Sequence, residues 1–173
     1  IPTLVENMPE ISEDGLSYTY KIKEGIRWDD GTPLTSKDVA FSVKTMLCPL
    51  TNNTQIRSNY NTVIKSIELD KNNPLKFTMH AQKLHVDNKY ILSELYLIQK
   101  SLWDPNGILD NISFQQILDD KFDTEYVSEE ISEYFTSYNG DDNSYKPSLL
   151  KGLGPYQVTE WESSQYITIE RKE

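Results

Sequence analysis

The chain has 173 residues, of which 37% are hydrophobic, 25% charged and 11% aromatic, with eleven tyrosines. That composition is one of a globular chain with its own core rather than a disordered one, and it is long enough for one domain or at most two small ones. A net charge of −10 excludes nucleic acid as a partner, since a phosphate backbone requires a basic footprint. No apolar run approaches the roughly 20 residues needed to span a bilayer. Cys48 is the single cysteine, so no internal disulfide can form. Its neighbours Val43, Met46 and Leu47 predict a buried, inert thiol.

In chain order, Ser12-Glu13-Asp14-Gly15 reads as a turn, and Leu16 to Lys23 alternates large and polar residues at the period of a half-buried strand. Asp29-Asp30-Gly31-Thr32-Pro33 is a second turn. A helix follows, with Thr35 as N-cap, Asp38 in its first turn, an apolar face of Val39, Val43, Met46 and Leu47, and Pro49 marking its end. Residues 50–61 are polar and read as a loop. Val63–Leu69 and Leu75–His80 predict a hairpin around Asp70–Pro74. Tyr90, Ile91, Leu92 and Leu95 to Ile98 form a dense apolar segment expected in the core. Residues 112–135 read as two amphipathic helices about an acidic turn, with Glu129, Glu130 and Glu133 on the wet side. A polar loop spans Asn139 to Lys146, and the chain closes on a hairpin, Gly154–Trp161 and Gln165–Arg171, with its turn at Glu162-Ser163-Ser164.

A search for reactive constellations yields little. His80 and His85 lack a third ligand to make a metal site. Asp29 and Asp30 are adjacent, unlike a glycosidase pair, which faces across a substrate, and Gly31 and Pro33 point to a turn instead. Gly152-Leu153-Gly154-Pro155 is no phosphate cradle, because Pro155 removes a donor and no helix follows. The acidic stretch from Asp119 to Asp142 lacks the register of a calcium loop. Trp28, Trp103 and Trp161 are expected in packing roles.

Two blocks carry a resemblance. Ser12 to Ile22, running into Gly25-Ile26-Arg27-Trp28-Asp29-Asp30-Gly31-Thr32-Pro33-Leu34-Thr35-Ser36-Lys37-Asp38-Val39, resembles the signature of the family 5 extracellular solute-binding proteins of ABC importers. That signature is a S-x-D-G-L-x-Y-T-F-x-L strand followed by G-V-x-W-x-D-G-x-P-x-T-A-x-D-V. Tyr20 stands for its Phe and Ser36 for its Ala. Gly152 to Trp161 resembles the family's G-T-G-P-Y-x-L-x-x-W hairpin, with Leu153 in place of Thr. The match is loose over about residues 80–150.

The resemblance implies an α+β fold: a mixed β-sheet with flanking helices, part of lobe I of a periplasmic-binding-protein type II-like fold. Residues 1–173 are then a single domain, a fragment of the first lobe and mainly its small subdomain. It implies non-catalytic binding of a solute, an oligopeptide above all, by closure of two lobes, with no cofactor and no metal. The implied partners are a peptide or other small solute, the membrane subunits of an ABC permease and the remaining lobe of the same chain. The location is periplasmic or at the cell envelope, with a lipid anchor outside this stretch. Within the family the polar segment after the first helix approaches the cleft, so Arg57, Asn59 and Tyr60 are the expected ligand contacts. The alternatives are a carboxylate-dependent hydrolase domain and a sugar-binding or adhesion module.

Overall fold

The computed structural model describes residues 3–172, the side chain of Ser144 excepted. Four antiparallel strands form the main sheet: β1 (Glu10–Ile11), β2 (Ser17–Lys21), β3 (Ile64–Leu69) and β4 (Lys76–Ala81), in the order β1-β2-β4-β3. The turn before β2 is built by Asp14, whose Oδ1 accepts from Leu16 N–H at 3.0 Å, and by Gly15, whose φ of 68° suits a residue without Cβ. Alternation then sorts the two faces. Tyr18 and Tyr20 of β2, Phe77 and Met79 of β4, and Ile64 and Ile67 of β3 are buried. Tyr20 stacks on its cross-strand partner Phe77, with ring centroids 5.3 Å apart. The opposite face is polar: Thr19 and Thr78 hydroxyls bond at 2.9 Å, and Ser17 Oγ bonds His80 Nδ1 at 3.1 Å.

Helix α1 (Ser36–Leu47) supplies the other half of the core through Val39, Phe41, Val43 and Leu47. Its start is fixed by Asp38, as the spacing predicts. The carboxylate accepts from the Thr35 backbone N–H and hydroxyl, each at 2.9 Å, and reaches across to the Lys100 N–H at 3.0 Å. Pro49 follows the C-cap, Cys48. Burial pushes the Cys48 thiol up to about 12. A thiol-specific reagent at pH 8 is therefore expected to leave Cys48 unmodified in the folded protein and to titrate it fully in denaturant; rapid native labelling would contradict the packing.

Three sequence expectations change. The segment 50–61 holds a helix, α2 (Thr54–Tyr60), rather than a loop throughout. None of its residues is fully buried, so no apolar stripe announces it; it is held by the Arg57 N–H donating to Asn53 O and by Ser58 Oγ bonding Thr54 O. The segment 86–102 contains two single-turn helices, α3 (Asn88–Ile91) and α4 (Lys100–Trp103), and it is not wholly core. Leu92 is buried, whereas Tyr90 and Tyr96 are 66% and 72% exposed. The first of the two helices expected in 112–135 is broken into single turns, α5 (Phe114–Ile117) and α6 (Phe122–Glu125), because Asp119 folds its carboxylate onto the Lys121 N–H at 2.9 Å. Helix α7 (Glu129–Tyr138) has the expected division, with Ile131 and Phe135 buried and the three glutamates exposed. Part of the polar loop after it is a 3₁₀ turn, Asp141–Tyr145. The closing hairpin is β5 (Tyr156–Glu162) with β6 (Tyr166–Arg171), a separate two-stranded sheet.

Candidate functional site: a tyrosine-lined groove beside the junction of two motifs

The two motif blocks meet. In the first, Gly31 adopts φ 83° to turn the chain, Trp28 N–H bonds Thr32 O at 2.9 Å, and Asp30 Oδ1 accepts from the Thr32 N–H and hydroxyl. Gln99 Nε2 donates to Asp30 Oδ2 at 2.6 Å, and this bond, then those from Thr32, holds the Asp30 carboxyl below the usual carboxylate range. Asp29 points the other way. Its carboxylate, only 3% exposed, accepts from the Gly152 N–H at 2.8 Å and pairs with the Lys172 ammonium. Lys172 also donates its Nζ to Gly152 O at 3.2 Å and its backbone N–H to Pro155 O at 2.9 Å. The Gly152–Trp161 block is thus tied to the Trp28–Pro33 turn through one buried acid. The two neighbouring carboxylates are each engaged by structural donors and diverge, so they are not a converging acid–base pair.

Beside this junction lies a groove of about 840 Å³. Its floor is the sheet and helix core at Tyr20, Ile22, Phe77 and Val39, and residues 3–9 close one side. Leu153 and Gly154 of the second motif reach its edge. The remaining wall is the segment 90–97, held to the core by two tyrosine hydroxyls. Tyr20 donates to Leu92 O at 3.2 Å, and Tyr60 donates to Glu94 O at 2.6 Å. The size suits a small-molecule or side-chain site, and the lining is apolar with few polar groups.

The three expected contact residues are divided by α2. Tyr60 lines the groove. Its hydroxyl pKa is raised, by burial first and then by Tyr96 and Glu94, so it remains a hydrogen-bond donor at neutral pH. Arg57 faces a second, more polar cavity of about 740 Å³ that also touches Lys65 and Asp119, and its Nε donates to Leu47 O at 3.2 Å. Asn59 is exposed and lines neither. Sequence reasoning did not single out the 3–9 segment or the 90–97 wall as a site. The available signal was the density of large residues from Tyr90 to Leu97, which reads equally well as core.

The same fold occurs in solved structures. The chain superposes on the CtaP substrate-binding protein of Listeria monocytogenes with a TM-score of 0.65 and 24% identity, covering 99% of this chain and 28% of that one. It superposes on NikZ of Campylobacter jejuni, solved with Ni(L-His), with a TM-score of 0.64 and 24% identity, covering 98% of this chain and 27% of that one. The profile of the bacterial extracellular solute-binding proteins, family 5 Middle, matches residues 1–173, and the chain belongs to that family. Among curated relatives, the oligopeptide-binding protein AppA of Bacillus subtilis (strain 168) is 27% identical over 169 residues, 97% of this chain and 25% of that protein. The chain therefore spans about a quarter of the length of the relatives it matches.

Proposed function

We propose that this chain is part of the first lobe, mainly its small subdomain, of an extracytoplasmic protein that binds oligopeptides and hands them to an ABC permease without chemical change. The observation that carries this is the tyrosine-lined groove next to the junction of the two family motifs. Family membership and the oligopeptide-binding relative support it. Apolar walls, tyrosine hydroxyls and backbone carbonyls are the groups a cleft needs to hold a peptide, and capture by lobe closure requires no nucleophile or general base. In this reading Tyr60 contacts the cargo from the groove wall; Asn59, exposed on the same helix, and Arg57 are contacts made when the second lobe closes. The remaining lobe and the permease are the partners, and the full-length protein works outside the cytoplasm, held at the envelope by a lipid anchor.

Mass spectrometry of material carried through purification of the full-length protein tests the substrate class. Short peptides are expected; a chelated metal or a sugar in their place would overturn the oligopeptide assignment. Within the site, Tyr60→Phe removes the bond to Glu94 O and loosens the wall. It is expected to weaken peptide binding by about three- to tenfold in calorimetry, with the fold intact by circular dichroism. An unchanged affinity would remove Tyr60 from the binding surface.

A further inference from the structure

The groove has a charge asymmetry. Among the described residues that line it, Glu94 is the one with a formally charged side chain. Its backbone carbonyl is taken by Tyr60, but its exposed carboxylate has no hydrogen bond or ion pair among the described residues. Tyr60, Tyr90 and Tyr96 line the same groove, the last two largely exposed and on either side of Glu94 in sequence. The Tyr60 hydroxyl donates to the Glu94 carbonyl at 2.6 Å, which sets the Tyr60 side chain against the Glu94 backbone. A carboxylate in a tyrosine-lined groove with an apolar floor matches one chemistry well: a cation on a long apolar stem. The stem packs on apolar walls such as Leu95 and Met8, the ammonium or guanidinium meets the ring faces, and the carboxylate neutralises it. An acidic side chain would meet Glu94 with no compensating cation from the lining.

We infer that this groove selects lysine or arginine side chains of the bound peptide, with Glu94 as the specificity-determining residue and Tyr60, Tyr90 and Tyr96 as its aromatic frame. The inference rests on the peptide-binding reading above and adds the charge class of the cargo.

The test is a positional scan on the full-length protein. Alanine pentapeptides carry a single lysine, norleucine or glutamate at each of the five positions, and affinities are measured by calorimetry at low ionic strength. At one position or more, lysine is expected to bind about fivefold tighter than norleucine, with glutamate weakest. Glu94→Gln, on an exposed side chain, should erase the advantage of lysine over norleucine there. Raising the salt to about 0.5 M should shrink the same advantage in the unaltered protein. Peptides that bind without any lysine preference, or a preference that survives Glu94→Gln, would overturn the inference and leave the peptide-binding reading standing. Failure of every pentapeptide to bind would overturn both.

Discussion

Asp38→Ala is expected to lower stability by about 3 kcal/mol in chemical denaturation of the chain. The buried carboxylate serves three donors at once: the Thr35 N–H and hydroxyl at the start of α1, and the Lys100 N–H from the far side of the groove wall. Removing it leaves part-buried N–H groups without this acceptor, and each such orphan costs up to roughly 1–3 kcal/mol. Asp38→Asn retains one acceptor oxygen and should fall between alanine and the native residue. The loss should also appear at a distance. Residues 98–100 are pinned to α1 by this bond and by Ile98 N–H donating to Ser42 Oγ at 2.9 Å, so the 90–97 wall should exchange its amides faster in the variant. A loss below about 1 kcal/mol would show that the motif aspartate is a surface cap and nothing more.

Asp29→Ala should detach the terminal hairpin from the body. A two-stranded sheet is marginal on its own, and β5–β6 owes its seat to the bonds of Asp29 with Gly152 and Lys172, helped by the edge-on packing of Tyr145 against Trp161 at 5.5 Å. Removing a buried acid from its cation costs about 3–5 kcal/mol when the cation is stranded. Lys172 is 23% exposed and can turn toward water, so about 2–3 kcal/mol is expected here. The signature is local: Trp161 fluorescence should shift and β5–β6 should lose amide protection, while β2–β4 retains it. The double variant Asp29→Ala with Lys172→Ala should lose less than the sum of the two single variants. Additive losses would mean that the pair does not couple.

The parts of this fold legible in the sequence were those set by short-range chemistry. Asp14-Gly15 and Asp29 to Pro33 announced turns, Thr35 and Asp38 announced a helix start, and Asp70 to Pro74 announced a hairpin, because each acts within a few residues of itself. Helix α2 escaped notice because it buries no stripe. The groove escaped for a different reason. Its walls come from residues 3–9, 20–22, 60 and 90–97, and only the tertiary fold shows that Tyr90 and Tyr96 are exposed where the density of large residues suggested core. The bond between Asp29 and Gly152 spans 123 residues, so periodicity could not show it. The two blocks each resemble one family on their own residues; their direct contact through Asp29 is visible only in the fold.

We place Tyr60 of α2 and the 90–97 segment in one wall of the proposed binding cleft. Hydrogen–deuterium exchange of the full-length protein, with and without the peptide recovered from its purification, tests this most directly. Exchange should slow on peptide addition around Tyr60 at the end of α2 and in residues 90–97, with the outer edge at β3 unchanged. Protection that leaves both segments untouched while the peptide is fully bound would contradict it.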